Sequence, residues 1–257
     1  MKTISGVVHT YNAEKFLERC VASLKDCDEI IICDMHSTDR TIEIAEKYGC
    51  KIIYHEKLGY CDPARDFALS HVSSDYALIL DADEYASPNL VNNLKKYITE
   101  NEKAAEGIRI FYKNELLGKV LHSYSKPGIL RFFKKGHVHY PPVIHSAPIV
   151  DGREEFFHRG ADSYIVHSMI TDLSPHADKW NEYTTFEANE KWIQVGRKTS
   201  ASQIIFRPIA EFFKIYFLKQ GYLDGLHGFV FAIYAANYKF MVHAKVWEHQ
   251  LKEAAKK

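Results

Sequence analysis

The sequence has no net charge, no paired cysteine motif and no long apolar run. Its 33 Lys and Arg residues balance 33 Asp and Glu residues, so no overall basic charge favours binding to nucleic acid. Its five cysteines include no C-x-x-C pair, which argues against a zinc site and favours reduced thiols in the cytoplasm. No segment reaches the roughly 18–20 apolar residues that a membrane-spanning helix needs. With 46% hydrophobic residues, the composition is that of a globular protein.

The charge is balanced overall but is unevenly distributed along the chain. Residues 197–257 contain ten Lys or Arg against four Asp or Glu, so this segment carries a net charge of +6 and residues 1–196 carry −6. We therefore predict two regions, 1–196 and 197–257. A basic, aromatic-rich segment after an acidic body favours contact with a polyanion or a membrane surface.

The first hundred residues alternate apolar strand patterns with helical patterns of about ten residues. The strand patterns include "TISGVVHT", "EIIICD" and "YALILD". Such alternation predicts right-handed βαβ units and a parallel sheet. Ligands bind such sheets at the carboxyl ends of the strands. We therefore expect Thr10 to Asn12, Asp34 and Asp81 to Glu84 on one edge.

Three acidic residues, Asp81, Asp83 and Glu84, directly follow the apolar run of the last of these strands. Two carboxylates at positions i and i+2 can share a hard divalent cation, which also binds phosphate oxygens. Such a cation would neutralise a diphosphate leaving group. The alternative is a solvated turn whose acids favour the start of the next helix. Because three segments converge on one edge, the cation site is favoured.

Several motifs together resemble family 2 glycosyltransferases, which have the GT-A fold. They are "HTYNAEKF", "CDMHSTDRT", "LILDADEY" and the late string "FRPIAEFFKIYFLKQGYLDGLHGF". Within that family the sequence is most similar to the lipopolysaccharide-core β-glucosyltransferase branch. The resemblance implies an α/β fold with a mostly parallel, Rossmann-like sheet and helices on both faces. In addition to this fold, we expect a C-terminal amphipathic helical region.

The resemblance also implies a set of ligand-binding residues. Asp83 and His167 would bind Mg²⁺ or Mn²⁺, although a lone histidine such as His167 is often structural. Asp34 could instead form an Asx turn, and Arg65 could pair with a neighbouring acid on a helix surface. The implied nucleotide-binding residues are Thr10, Tyr11, Asn12, Asp34, Arg65 and Asp81.

The catalytic base is the point at which the sequence departs from the family pattern. Ser146 stands where family members often have glutamate. An inverting transferase needs a base on the acceptor hydroxyl. We therefore take His145 as the first candidate, because its ordinary pKa of about 6.5 suits the task. The other candidates are Glu84, Asp151, Glu154 and Glu155.

The C-terminal region contains an amphipathic helix pattern. Apolar residues recur at 205, 209, 212, 213 and 216, with charged residues at 207, 211 and 214. This pattern suits an interfacial helix at the headgroup level of a membrane. The alternative is a helix packed on the catalytic domain. We expect a cytoplasmic protein attached peripherally to the inner face of the cell membrane.

Together these features predict a metal-dependent, inverting glycosyltransferase. It would move a hexose, with glucose favoured, from a nucleotide-diphosphate sugar, with UDP favoured, to a lipid-linked or cell-surface glycan such as lipopolysaccharide core or capsule. One alternative is a non-catalytic, membrane-associated glycan-binding scaffold. A second is a D-x-D phosphohydrolase, against which Tyr85 argues because that chemistry usually has Thr or Val at this position.

Overall fold

A computed structural model describes residues 2–57, 62–141, 147–158 and 162–256. Eleven strands lie in these residues: β1 (Ile4–Thr10), β2 (Glu29–Asp34), β3 (Lys51–Tyr54), β4 (Tyr76–Asp81), β5 (Glu84–Ala86), β6 (Gly107–Leu116), β7 (Lys119–Lys134), β8 (Val138–His139), β9 (Ile149–Val150), β10 (Glu154–Phe156) and β11 (Tyr164–Ile170).

Seven α-helices connect or follow these strands in the described residues. They are α1 (Leu17–Ser23), α2 (Thr41–Lys47), α3 (Asp62–Ser70), α4 (Leu90–Glu100), α5 (Leu173–Ala188), α6 (Ala201–Phe213) and α7 (Leu226–Ala254). Two π-helical turns, Asn189–Ile193 and Lys214–Leu218, extend α5 and α6, and a 3₁₀ helix covers Gly221–Asp224.

Nine of the described strands form one mixed sheet. Its order is β3-β2-β1-β4-β7-β6-β11-β5, with β10 paired to β6. The first four strands of this order are parallel, as the alternating pattern predicts. The sheet then continues with strands of the opposite sense, because β7 is antiparallel to β4 and β11 is antiparallel to β5. The predicted parallel arrangement therefore holds for the N-terminal half of the sheet.

Both faces of the parallel strands are covered by apolar side chains. All seven residues of β1 are buried, which agrees with its nearly continuous apolar sequence. Ile4 and Val8 pack into one core with residues of α1 and α4, whereas Val7 packs into a second core with residues of α3. Because side chains alternate across a strand, these two cores lie on opposite faces of the sheet. The predicted helices on both faces are confirmed.

The chain divides into two compact units. Unit 1 comprises Met1–Lys113 and Lys126–His167, and unit 2 comprises Asn114–Ser125 and Ser168–Lys257. Helix α5 therefore belongs with the later helices, whereas the sequence places a boundary after residue 196. That boundary remains a prediction.

One buried carboxylate at the end of the 3₁₀ helix, that of Asp224, connects two parts of unit 2. The two oxygens of Asp224 accept hydrogen bonds from the backbone N–H groups of His122 (2.8 Å) and Ser123 (2.9 Å) in β7. Nearby, a Cβ atom on Gly228 would lie 1.9 Å from the carbonyl oxygen of Gly221, so only glycine fits at position 228. The late sequence string thus has a structural role in joining α7 to β7.

No helix within the described residues combines the length and the hydrophobicity that crossing a bilayer requires.

Candidate functional site

The register of the parallel strands brings three predicted residues to one edge of the sheet. Thr10 is the partner of Asp34 across β1 and β2. His9, the residue before Thr10, is the partner of Asp81 across β1 and β4. We call the carboxyl ends of these three strands the strand-end edge. The structure therefore places Thr10, Asp34 and Asp81 where the sequence predicts them.

Asp34 organises the loop after β2. Its Oδ1 accepts hydrogen bonds from the hydroxyls of Thr10 (2.7 Å) and Ser37 (2.5 Å), and its Oδ2 accepts one from the backbone N–H of Ser37 (2.7 Å). The Ser37 hydroxyl oxygen in turn accepts from the backbone N–H of Asn12 at 2.8 Å. Because a carboxylate has about four acceptor positions, these bonds leave capacity for one more donor. The Asx-turn alternative is therefore what the structure shows, and Asp34 itself is fully buried.

Aromatic side chains flank this loop. Tyr11 is 43% exposed, and the Lys57 ammonium lies 3.8 Å from the centre of its ring. The imidazole of His36 stacks on Tyr54 with 5.5 Å between the ring centres. Met35, in contrast, is buried and packs into the core of the α3 face. The exposed ring of Tyr11 is available for stacking on a planar ligand.

Asp81 lies between two arginines. Arg65 Nη2 donates to Asp81 Oδ1 at 2.7 Å, and Arg131 Nη2 donates to Asp81 Oδ2 at 2.6 Å. The Arg65 side chain is only 10% exposed. Arg65 therefore joins α3 to the end of β4, and the alternative of a pair on the helix surface is not what the structure shows.

Glu84 lies in β5, and its carboxylate accepts hydrogen bonds from other groups of the protein. Its Oε1 accepts from the Tyr112 hydroxyl and from Arg131 Nη2, both at 2.8 Å, and its Oε2 accepts from the Asp81 backbone N–H at 3.0 Å. The residue is 2% exposed. Helix α4 begins six residues later at Leu90, so Glu84 does not start that helix. Glu84 is therefore placed to position Arg131 and Asp81. The sequence instead makes it a candidate base on the acceptor hydroxyl.

Burial and the two arginines shift the pKa values of this cluster in different directions. Burial alone would raise the pKa of Asp81, but the charges of Arg131 and Arg65 outweigh it and hold the pKa well below the ordinary range. Burial raises the pKa of Glu84, although Arg131 opposes the rise. Burial and the charge of Arg65 lower the pKa of His9 to about 3. Asp81 is therefore ionised and His9 neutral near neutral pH.

Asp83 and His167 form a second, more open pair beside this cluster. His167 Nε2 lies 3.3 Å from Asp83 Oδ2, and the two side chains are 28% and 42% exposed, respectively. The His167 ring also stacks on Tyr112 at 5.9 Å. Burial lowers the pKa of His167, but the hydrogen bond and charge of Asp83 outweigh this and raise it. The structure thus brings together the two predicted metal ligands.

A carboxylate and an imidazole suit Mn²⁺ or Mg²⁺ only if other ligands complete the coordination. The described residues contain no cluster of three or more His, Cys, Asp or Glu side chains that could hold a metal without such help. Two partly exposed side chains that converge in this way fit a cation whose remaining ligands are phosphate oxygens and water.

A cavity of ≈ 340 Å³ in unit 1 adjoins these residues. Three arginines and two tyrosines contribute to its lining: Arg65, Arg109, Arg131, Tyr112 and Tyr140. The Nε atom of Arg131 is buried and has no hydrogen-bond partner among the described residues. Guanidinium groups are the usual protein partners of phosphate and carboxylate. The cavity therefore suits the anionic part of a ligand.

Sequence reasoning missed Arg131 and Tyr112, which hold Asp81 and Glu84. Both lie in strands of unit 1, 50 and 31 residues after Asp81. Arg131 is a single charge between apolar residues in "GILRFF", and its neighbours Leu130 and Phe132 are buried. A lone charge inside an apolar strand pattern indicates a buried ion pair, since unpaired buried charges are costly. The sequence therefore indicates a buried ion pair for Arg131 but does not identify its partner.

The candidate bases are only partly placed by the structure. His145 and Ser146 lie outside the described residues. Glu154 pairs with Arg109 at 2.8 Å, and the Tyr97 hydroxyl donates a short hydrogen bond to Glu155. Asp151 lies in an exposed turn. Both glutamates thus have partners in unit 1 that do not belong to the Asp81 cluster.

Comparisons with known proteins agree on one family. Residues 5–148 match the profile of Glycosyl transferase family 2. The lipopolysaccharide core biosynthesis glycosyltransferase LpsC of Rhizobium meliloti is 26% identical, over 97% of this chain and 94% of LpsC. An uncharacterized glycosyltransferase of Rickettsia bellii is 28% identical, over 97% of this chain and 88% of its own length. The crystal structure of Staphylococcus aureus TarS 1-349 in complex with UDP superposes with a TM-score of 0.51 at 17% identity, covering 98% of this chain and 92% of that chain.

Proposed function

Because this chain belongs to glycosyl transferase family 2, we propose that it is a metal-dependent, inverting enzyme that moves a hexose from a UDP-sugar to a lipid-linked or cell-surface glycan. The predicted family, the α/β GT-A fold with a C-terminal helical region and the transferase class are confirmed. The observation that carries the proposal is the Asp83–His167 pair, 3.3 Å apart, beside an arginine-bound Asp81.

We place the nucleotide at the strand-end edge. The Asp34 carboxylate, with one acceptor position left, would accept the N3–H of uracil, and Tyr11 would stack on the base. Thr10 and Asn12 hold the loop around Asp34 through the contacts described above. TarS, which has the same fold, was crystallised with UDP. This shared fold supports UDP as the nucleotide.

We assign the cation, Mg²⁺ or Mn²⁺, to Asp83 and His167. A bound cation would act as a Lewis acid that neutralises charge on the leaving diphosphate. His167 must be neutral at Nε2 to bind it, and Asp83 must be ionised. Arg65 and Arg131 would then hold Asp81 in the orientation that serves the ribose and metal-bound water.

Glu84 and Arg131 act as positioning residues in this proposal. Glu84 fixes Arg131 and the Asp81 backbone, and Arg131 fixes the Asp81 carboxylate. This geometry argues against a D-x-D phosphohydrolase, because both oxygens of Asp81 already face guanidinium groups. His145 remains our candidate for the base on the acceptor hydroxyl.

The acceptor is proposed from the relatives and from the surface of unit 2. LpsC, which matches over nearly its whole length, acts in lipopolysaccharide core biosynthesis by its name. We propose a related lipid-linked or cell-surface glycan here, with glucose favoured as the donor sugar.

An exposed apolar face of unit 2 supports contact with a membrane surface. It begins in α6 and runs through the π-helical turn into the start of α7. Leu218 is 81% exposed and Leu226 is 73% exposed. Further exposed members of this face are Ile205, Phe206, Ile209, Phe213, Phe217, Tyr222, Leu223, Phe229 and Ile233.

We call these eleven residues the apolar face of unit 2. Such an extended apolar surface, in a segment that also contains Arg207, Lys214 and Lys219, suits the boundary between headgroups and acyl chains of an anionic bilayer. We therefore propose that the protein is cytoplasmic and binds the inner face of the cell membrane peripherally.

Titration calorimetry with UDP in the presence and absence of Mn²⁺ tests the donor and metal proposals. Wild type should bind UDP with a Mn²⁺-dependent heat, and Asp83→Asn should lose most of the Mn²⁺ dependence. Glu46→Gln, which removes one exposed carboxylate from α2, is the matched control and should behave like wild type. No UDP binding by wild type, or equal Mn²⁺ dependence in wild type and Asp83→Asn, contradicts the proposal.

A further inference from the structure

Unit 2 contains a groove that the transfer chemistry does not use. It lies between α5 and α7 and has a volume of ≈ 340 Å³. This volume falls within the about 300–1,000 Å³ that is typical of ligand sites. Six of its lining residues define what we call the α5–α7 groove: Trp180, Asn181, Thr184, Tyr234, Asn237 and Tyr238.

The aromatic part of the groove is fixed in place. Trp180 packs against Tyr234 with 4.4 Å between ring centres and against Tyr238 at 5.3 Å. The Tyr238 hydroxyl donates to Glu187 Oε2 at 2.9 Å, and the Tyr234 hydroxyl donates to the carbonyl oxygen of Leu173 at 3.3 Å. Because the hydroxyls are bound to α5, the rings are anchored without a ligand. The groove therefore offers rigid aromatic surface.

The polar part of the groove is fixed by a lysine. Lys245 Nζ donates to Asn181 Oδ1 and to the Thr184 hydroxyl, both at 2.8 Å. With its oxygen bound in this way, Asn181 keeps its amide N–H groups as donors. Asn237 is exposed on α7, and no hydrogen bond of its amide occurs within the part of the chain that the structure describes. The amides thus supply both donors and an acceptor to a ligand.

The lining of the α5–α7 groove carries no charged side chain among the described residues. The cavity of unit 1 differs in this respect, since Arg65, Arg109 and Arg131 contribute to it. A phosphate or carboxylate would find guanidinium groups in the lining of the unit 1 cavity. The side chains that line the α5–α7 groove are neutral, and the charged Lys245 and Glu187 are bonded to them. The chemistry of the groove therefore matches a neutral ligand with both apolar and hydroxylated surfaces.

We propose that the α5–α7 groove binds a neutral pyranose unit of the glycan acceptor. The C–H face of a pyranose ring packs on Trp180, Tyr234 and Tyr238, because burying such a face on an aromatic ring removes apolar area from water. Its hydroxyl groups bond to the side-chain amides of Asn181 and Asn237. The assignment as an acceptor rests on the proposed transferase function, whereas saccharide binding itself does not.

Saturation-transfer NMR and intrinsic fluorescence of the full chain test this site. The probes are maltose, cellobiose and N,N′-diacetylchitobiose, with glycerol as a polyol that lacks a ring. At least one disaccharide should bind wild type, with the ring C–H protons receiving the transferred magnetisation. Glycerol should not bind.

Two variants probe the two halves of the groove. Asn237→Ala should weaken disaccharide binding by roughly two- to tenfold, as expected for the loss of one hydrogen bond. Trp180→Leu should weaken it by about tenfold or more through the loss of ring contact. Tyr183→Ala removes another aromatic residue of α5, 55% exposed and outside the groove lining, and should bind like wild type. If Trp180→Leu does not fold, Asn237→Ala carries the test alone, because alanine is favourable in an exposed helix.

The outcomes separate this proposal from the transferase proposal. Groove variants should leave UDP binding with Mn²⁺ unchanged and should raise the KM for a glycan acceptor. A wild type that binds none of the three disaccharides overturns the groove proposal, as does equal weakening by Asn237→Ala and Tyr183→Ala. Normal disaccharide binding together with a failure to bind UDP would overturn only the proposed donor chemistry.

Discussion

The guanidinium group of Arg131 bridges Asp81 and Glu84. Its Nη2 atom lies 2.6 Å from Asp81 Oδ2 and 2.8 Å from Glu84 Oε1. Glu84 has almost no contact with water, whereas the Asp81 side chain is 31% exposed. The bridge therefore links a buried carboxylate, which cannot move freely, to one that faces the strand-end edge. Asp81 therefore takes its orientation from Glu84 of β5 and Arg131 of β7, together with Arg65 of α3.

Replacing Arg131 should damage both stability and transfer. Arg131→Met leaves Glu84 buried without its cation, and breaking such a pair costs about 3–5 kcal/mol of unfolding free energy. Misplacement of Asp81 should in addition lower the transfer rate by about a hundredfold. Urea unfolding and a transfer assay measure the two effects.

The control for Arg131 is an ion pair of similar length on the surface. Arg40 and Glu43 lie 2.9 Å apart, but their side chains are 71% and 65% exposed. Arg40→Met should therefore leave the free energy of unfolding close to that of wild type, because exposed ion pairs contribute little to stability. Equal losses in Arg131→Met and Arg40→Met would contradict the role given to the bridge.

The Asp83–His167 pair should make stability depend on pH. The pKa of His167 in the folded protein is raised above the unfolded value, so the folded state holds the proton more tightly. The contribution of this pair to the free energy of unfolding is fully present below the pKa of an unfolded histidine, about 6.5. It is lost as the pH rises through the pKa of His167 in the folded protein. Asp83→Asn should lower the pKa of His167 towards its ordinary value and flatten this part of the profile.

NMR titration of the His167 ring protons and urea unfolding on both sides of this window measure the effect. If the pKa of His167 stays unchanged in Asp83→Asn, burial and the more distant carboxylates control it instead.

The hydrogen bonds from the backbone N–H groups of His122 and Ser123 to Asp224, which we call the Asp224 clamp, should contribute strongly to the stability of unit 2. Asp224→Asn replaces one acceptor oxygen by an N–H₂ group that faces a backbone N–H donor. The loss of a charged hydrogen bond and the unsatisfied donor should cost about 2–3 kcal/mol. Asp75→Asn is the matched control, because Asp75 accepts the Thr3 backbone N–H at 2.8 Å in an exposed position. Thermal unfolding should show a clearly larger loss for Asp224→Asn, and similar losses would argue against the clamp.

The apolar face of unit 2 should bind anionic vesicles. Leu218→Glu places a charge on its most exposed member and should reduce co-sedimentation with phosphatidylglycerol vesicles several-fold, since burying a charge in the acyl region is unfavourable. Ile149→Glu, at a residue of unit 1 that is 59% exposed, should bind vesicles like wild type. Binding should weaken with salt, because part of it is electrostatic. Equal binding of wild type and Leu218→Glu would contradict a membrane role for this face.

The strand-end edge was predictable from sequence because it depends on local patterns. Thr10, Asp34 and Asp81 each end an apolar run, and parallel strands place such ends together. The strand and helix alternation of the first hundred residues is likewise a local signal, and its elements agree with the structure. The same holds for Asp83, two residues after the end of β4.

The partners of these residues could not be predicted, since they depend on tertiary pairing. Arg131 reaches Asp81 only because β7 lies next to β4 in antiparallel sense, and nothing within "GILRFF" specifies that neighbour. Asp224 looked like one acid in a basic segment, whereas it binds a strand that lies about a hundred residues earlier. The buried contacts of Glu84 were likewise not predictable, because they involve Tyr112 and Arg131 from other strands.

The two arginines on Asp81 bear on the order in which ligands enter. With both Asp81 oxygens already bound to guanidinium groups, a free cation meets the half-exposed Asp83, which lies 3.3 Å from His167 Nε2. A cation that arrives with a diphosphate brings its own oxygen ligands and needs only two from the protein. The resting enzyme should therefore have a weak affinity for Mn²⁺ alone, and nucleotide and metal should enter as one complex.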